Sequence, residues 1–211
     1  YINIENYTKK INKLPVLDNI NLKLSEGRIY ALIGSNGSGK TMLIRAVSGL
    51  ITPDSGKAFV NGLEIGNGVY PESLGLLIEN ITMFEYLSAF ENLKMLNSIS
   101  VNRISDFEIK EWLETFELNS NDKRTIKKYS LGMRQKVSII QAFMNKPDLI
   151  ILDEPTNSLD EHSIQILFDT IKKINEKYGT TFIIASHDNN CILEVYCNTF
   201  GISNTTIIKN L

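Results

Sequence analysis

The sequence predicts an α/β protein built on a largely parallel sheet that is buried on both faces. Three strand-length runs are almost wholly apolar: Ile29–Ile33, Leu149–Leu152 and Thr181–Ala185. Strands covered on both sides read this way, because neither set of alternating side chains meets water. Stretches with helical spacing of apolar residues lie between them, supplying the crossovers that parallel strands require. The third observation is a glycine-rich turn, Gly34 to Gly39, joining the first of these strands to a helical pattern.

Taken in order, Ile2 to Tyr7 and Ile20 to Leu24 read as strands, the second with clear alternation, followed by Ile29 to Ile33. Leu43, Ile44, Val47 and Leu50 then share one helical face, with Gly49 and Pro53 closing that helix. Short strands follow around Ala58–Val60 and Leu74–Ile78, separated by Gly- and Asn-rich turns. From about Phe84 to Met144 helical periodicity dominates: Tyr86, Phe90, Leu93 and Leu96, then Phe107, Trp112, Leu113 and Phe116, then Val137, Ile140 and Phe143. This stretch reads as a helical insertion between strands of one sheet. The alternation resumes with the strand at Leu149–Leu152, a helix over about Glu161–Lys177, the strand Thr181–Ala185, a short helix from Asn189 and two closing strands.

At 211 residues, 43% of them hydrophobic, the chain has material for one well-buried domain. A net charge of −2 provides no global field to attract nucleic acid or anionic lipid, and no nucleic-acid partner is expected. The two cysteines, Cys191 and Cys197, have neither metal-ligand nor redox-motif spacing and read as reduced thiols. No apolar run approaches the roughly 20 residues that span a bilayer, so any action at a membrane needs another polypeptide to do the spanning. The first residue is Tyr1 rather than Met, and a strand pattern begins almost at once, so no targeting peptide is expected.

The strongest chemical signal is Gly34-Ser35-Asn36-Gly37-Ser38-Gly39-Lys40-Thr41, which fits G-x-x-x-x-G-K-[ST] between an apolar strand and a helix. Glycines let the backbone close round a triphosphate, and the helix start adds partial positive charge. Lys40 would neutralise the β- and γ-phosphates and the Thr41 hydroxyl would ligate Mg²⁺, with Met42 next along the binding segment. The glycine spacing does not fit a dinucleotide fingerprint. A second anchor is Leu149 to Leu152 running into Asp153-Glu154, two carboxylates at the C-terminal edge of a strand, where ligands sit in open α/β sheets. Asp153 can hold Mg²⁺ and Glu154 can act as general base toward water.

With Asp153-Glu154-Pro155-Thr156-Asn157-Ser158-Leu159-Asp160 and then Ala185-Ser186-His187-Asp188, the chain resembles the ATP-binding cassette (ABC) family over essentially its whole length. The resemblance implies a P-loop NTPase core with a mostly parallel sheet and an N-terminal antiparallel β part, formed by residues 1–83 and 147–211. It also implies an inserted α-helical subdomain over about 84–146. It implies ATP and Mg²⁺ as ligands and an ATP site shared between two cassettes facing head to tail. One contributes the phosphate loop and the other a signature loop, usually L-S-G-G-Q. The matching stretch here is Tyr129-Ser130-Leu131-Gly132-Met133, which keeps Ser130 and Gly132 and places Leu131 where the family has glycine. His187 matches the family's switch histidine, a γ-phosphate contact. Asp160 matches the loop that communicates between opposed sites, and it also suits a helix N-cap.

Tyr7 stands where the family places an aromatic that stacks on adenine; Tyr30, inside a core strand, is the poorer candidate. Glu79, after Leu76-Leu77-Ile78, stands where the family carries a glutamine that reaches Mg²⁺ and the attacking water, and it is expected to serve both metal and catalysis. Leu-Ile-Glu-Asn at 77–80 together with Tyr-Ser-Leu-Gly-Met at 129–133 is similar to the bacterial subgroup of bacitracin and lantibiotic self-protection exporters. The resemblance therefore implies the ATPase subunit of such an exporter at the cytoplasmic face of the cell membrane, paired with a second cassette. It would be held there by a transmembrane permease, with Phe84, Tyr86 and Phe90 as candidate contacts. The competing readings are a non-transport ABC ATPase acting in translation or on DNA, and a non-catalytic regulatory subunit. The single cassette without heptads opposes the first, and the intact Lys40, Asp153, Glu154 and His187 oppose the second.

Overall fold

The computed structural model describes residues 1–78 and 83–187, together with the strands at 198–203 and 206–209. Glu79, Asn80, Asp188, both cysteines and the helix expected from Asn189 lie outside the described residues. The described strands form two sheets. An antiparallel sheet has the order β2-β1-β4-β5, from β1 (Ile2–Ile11), β2 (Leu14–Leu24), β4 (Ser55–Val60) and β5 (Leu63–Ile65). The second has the order β10-β9-β3-β8-β7-β6, from β3 (Ile29–Ile33), β6 (Leu74–Leu77), β7 (Leu149–Asp153), β8 (Thr181–Ser186), β9 (Asn198–Ser203) and β10 (Thr206–Lys209). Every pairing in the second sheet is parallel except β9 with β10.

The first two strands are longer than the sequence pattern suggests. They form one hairpin whose turn is Asn12-Lys13, both at positive φ (50° and 68°), with Ile11 opposite Leu14. Positive φ at both central positions is the twist a two-residue hairpin turn needs, and asparagine tolerates it best among non-glycine residues. Asn61-Gly62 (φ 49° and 78°) makes the same kind of turn between β4 and β5. Helix α1 (Lys40–Val47) buries Leu43, Ile44 and Val47 as expected. Leu50, expected on that face, lies beyond the C-cap at Ser48 and is 43% exposed; the Gly49 turn ends the helix before the period returns to Leu50.

The parallel sheet separates two cores, and alternate residues of its central strands supply each. Ile150, Leu152, Phe182 and Ile184 face a core shared with α5 (Glu161–Tyr178) and the helices α2 (Ala89–Ile99), α3 (Asp106–Thr115) and α4 (Leu131–Phe143). Leu149, Ile151, Ile183 and Ala185 face the other, shared with α1 and the antiparallel sheet. Phe143 of α4 meets Phe182 of β8 edge to face at 5.9 Å and Phe116 at 6.3 Å, so the helical insertion packs into the sheet's own core. Helices α2 and α3 each begin with a capping box, Ser88 with Glu91 and Ser105 with Glu108, which satisfies N–H groups the helix start would leave unpaired.

Strand β6 approaches α4 so closely at Gly75 that an added Cβ would sit 1.9 Å from the Ala142 carbonyl oxygen. Backbone has to move to admit a methyl group there. Gly75→Ala should therefore lose about 1–3 kcal/mol of stability in urea unfolding, the usual cost of overpacking; an unchanged midpoint and slope would show that β6 and α4 separate freely.

Candidate functional site

The loop from Gly34 to Gly39 leaves the C-terminal end of β3, and Gly39 (φ 107°) caps α1 in a left-handed conformation with no side-chain cap. The first N–H groups of α1 therefore lack a capping side chain and, with the helix dipole, favour an anion. Gly37 (φ 79°) has open space where a Cβ would be, and the Ser38 hydroxyl is buried without a hydrogen-bond partner among the described residues. A phosphate oxygen would satisfy it. The Lys40 side chain, only 6% exposed, donates to the carbonyls of Gly34 (2.7 Å) and Ser35 (3.2 Å), and its Nζ lies 3.8 Å from Glu154 Oε1.

Strand β7 delivers the two carboxylates. The Thr41 hydroxyl donates to Asp153 Oδ2 at 2.6 Å, tying the start of α1 to the end of β7. That pair offers a hydroxyl and a carboxylate, the hard oxygen donors Mg²⁺ prefers. Glu154 is a buried non-glycine residue at φ +48°, a conformation costing about 1–2 kcal/mol for an L-residue. Its N–H donates to the Ala185 carbonyl of β8 at 2.9 Å, and its Oε2 lies 2.8 Å from His187 Nδ1 just past the end of β8. Lys40, Glu154 and His187 thus line one cleft of about 520 Å³ with Asn36, Gly37, Gly39, Thr41, Met42 and Asn157. Its chemistry is that of a phosphate cradle with a carboxylate held between two basic groups.

A family model described as ABC transporter matches residues 17–157. The chain belongs to the ABC transporter family. It is 42% identical over 195 residues to the uncharacterized ABC transporter ATP-binding protein YybJ of Bacillus subtilis, across 92% of this chain and 88% of that protein. It is 36% identical over 186 residues to the lantibiotic transport ATP-binding protein SrtF of Streptococcus pyogenes, across 88% and 80%. A solved dimeric bacterial ABC transporter cassette superposes with a TM-score of 0.88 at 23% identity, over 99% of this chain and 98% of that one, a likeness of fold. The chain is accordingly an ABC ATPase, an ATP-binding subunit with the P-loop NTPase core, antiparallel β part and inserted helices of that family. Among the described residues no helix is long and apolar enough to cross a membrane.

Ser130, Gly132 and Asp160, the further residues that the family resemblance implies, lie at two helix starts. Ser130 is the N-cap of α4, accepting from the Met133 N–H at 3.2 Å, and Leu131 beside it is 72% exposed. Neither Ser130 nor Gly132 lines the cleft that holds the phosphate loop. Asp160 caps α5 through the Ser163 N–H (2.8 Å), and its hydrogen bonds from Ser163 hold its carboxyl below the usual carboxylate range.

Tyr7 is a correction. Its side chain is 1% exposed, packed in the core between the antiparallel sheet and α1, and its hydroxyl donates to the Ile51 carbonyl at 3.1 Å. A ring enclosed in this way has no face free to stack on a base. The strand-end position suggested exposure, but a register shift in β1 turns the side chain inward. Burial, with Asp54 nearby, pushes its hydroxyl up to about 12, so it stays neutral. Tyr7→Phe should cost about 1 kcal/mol for the lost hydrogen bond and leave ATP affinity unchanged; a weakened ATP Kd measured by fluorescent-nucleotide titration would restore the stacking role. Instead, Pro15 and Val16 of β2 line the cleft. Sequence reading missed them because Lys13 in the preceding turn and Asp18 and Asn19 in β2 flank this pair, which obscures the alternation.

Proposed function

We propose that this ABC ATPase powers export of a peptide antibiotic or similar drug through a separate membrane permease. It would act with a second cassette at the cytoplasmic face of the membrane. The observation that carries the reading is the Glu154 carboxylate, held between Lys40 and His187 beside the phosphate loop, while Ser130 and Gly132 lie outside that cleft. Among the described residues, a site with loop, base and histidine on one side has no cap for the γ-phosphate. The exposed start of a second cassette's α4 has the N–H groups to provide one.

ATP would lie along Gly34–Met42 with its base against Pro15 and Val16. Thr41 and Asp153 would hold Mg²⁺, which would supply charge neutralisation at the phosphates. Arrival of the β- and γ-phosphates gives Lys40 stronger partners than Glu154, which leaves Glu154 against His187 and able to take a proton from water. His187 then holds that carboxylate in place and contacts the γ-phosphate. Catalysis of this kind rests on positioning and charge stabilisation more than on covalent chemistry.

The name of SrtF and the likeness of the 77–80 and 129–133 stretches to lantibiotic and bacitracin exporters favour a peptide cargo. Disrupting the gene should increase growth inhibition by such peptides, with rescue by the wild-type chain and none by Glu154→Gln. Unchanged sensitivity across a panel of them would contradict the cargo.

The permease is proposed to dock at the turn before α2. Phe84 and Tyr86 are exposed there, edge to face at 6.0 Å, and buried Asn92 fixes the turn by accepting from the Phe84 N–H and donating to its carbonyl. Exposed aromatics on a fixed backbone are the kind of anchor that dominates protein interfaces. Phe90, the third candidate, packs instead against the helical core beneath Lys94 and Lys110. Replacing Phe84 and Tyr86 together by alanine should reduce permease co-purification by about tenfold or more while ATP binding persists; undiminished association would move the docking site elsewhere.

A further inference from the structure

The first turns of α4 are joined to the loop that carries the catalytic carboxylate at two places. Gln135 Nε2 donates to the Pro155 carbonyl at 3.0 Å, directly after Glu154 in the chain. At Gly132 an added Cβ would lie 2.7 Å from the Ser158 carbonyl oxygen, so the helix start and the loop are in backbone contact. Glu154 and Ser158 both hold positive φ (48° and 65°), conformations that persist only where neighbours enforce them. The Glu154 carbonyl accepts from the Asn157 N–H at 3.2 Å, which closes the loop on itself but does not anchor it to anything else. The contacts from Gln135 and Gly132 tie this loop to α4, while the Glu154 N–H bond to Ala185 and the Glu154 carboxylate contacts with His187 and Lys40 tie it to β8 and the phosphate loop.

We infer that Gln135 is a positioning residue for Glu154: its amide holds the Pro155 carbonyl, so the start of α4 and the turn bearing the base move as one body. This rests on the proposed role of Glu154 as general base. The same helix start presents Ser130 and Leu131 outward. An anion drawn onto Ser130 and Gly132 from a second cassette therefore bears on the turn that carries this cassette's own base. The link runs inside one chain, from the site it completes to the site it operates.

The test is steady-state hydrolysis and nucleotide titration on the purified chain and four variants: Gln135→Leu, Gln135→Glu, Gln135→Lys and Glu154→Gln. Gln135→Leu and Gln135→Glu remove the donor, the second at nearly constant shape. Both should lower kcat by about tenfold or more with nucleotide Kd within about twofold, because small displacement of a base costs rate rather than affinity. Gln135→Lys keeps a donor on a side chain of similar length and should recover most of the lost kcat. Wild-type kcat in Gln135→Leu, parallel loss of kcat and affinity, or a lysine variant no better than leucine would each overturn the inference. The Glu154→Gln control separates the two levels. If it hydrolyses ATP at the wild-type rate, the base assignment falls and the inference with it. If it is inactive while Gln135→Leu is unaffected, only the inference falls.

Discussion

Lys40→Ala is expected to weaken ATP binding by roughly ten- to hundredfold, the size of a lost charge-assisted contact. Lys40 is almost fully buried, with its ammonium anchored by the Gly34 and Ser35 carbonyls, so its position is set before a phosphate arrives. Alanine removes the charge and leaves both carbonyls and Glu154 without that partner. The loop then presents acceptors and a carboxylate where the phosphates need donors. Isothermal titration of the folded variant checks this, with circular dichroism to show that the fold is retained. Affinity within a factor of about two of wild type would mean that the backbone N–H groups alone hold the nucleotide.

Glu154→Gln should behave in the opposite manner, retaining ATP and losing turnover. Removing a general base costs about 10²–10⁴ in rate. Glutamine keeps the shape, still reaches His187, and removes the carboxylate that stands 3.8 Å from Lys40. Binding is therefore expected to be as tight as wild type or tighter. Single-turnover hydrolysis of bound ATP reads the chemical step directly. Wild-type rates there would move the base to another group.

Much of this was legible because strand and helix patterns are local. Strands β3, β7 and β8 announce themselves as almost wholly apolar runs, and every residue in each is buried. That the phosphate loop, Asp153, Glu154 and His187 lie close together was legible for a different reason. Their chemistry needs particular residue types at fixed offsets from strand ends, and the fold brings three separate strand ends to one cleft. The reading failed where the outcome depends on register or on contacts distant in sequence. Tyr7 looks like a strand-end aromatic until a register shift in β1 turns it into the core. Pro15 and Val16 join the cleft only because the β1–β2 hairpin continues past where alternation fades. Leu50 keeps the helical period after the helix itself has stopped. The Gln135 contact with Pro155 spans 20 residues between a helix and a loop, and no pattern local to either segment encodes it.

The central claim, an ATPase that drives a membrane permease, is tested most directly by tagging the chain and isolating it from detergent-solubilised membranes of its native host, with partners identified by mass spectrometry. A multi-span membrane protein recovered in stoichiometric amount is the predicted result. Recovery from the soluble fraction alone, with ribosomal or DNA-bound proteins, would contradict it.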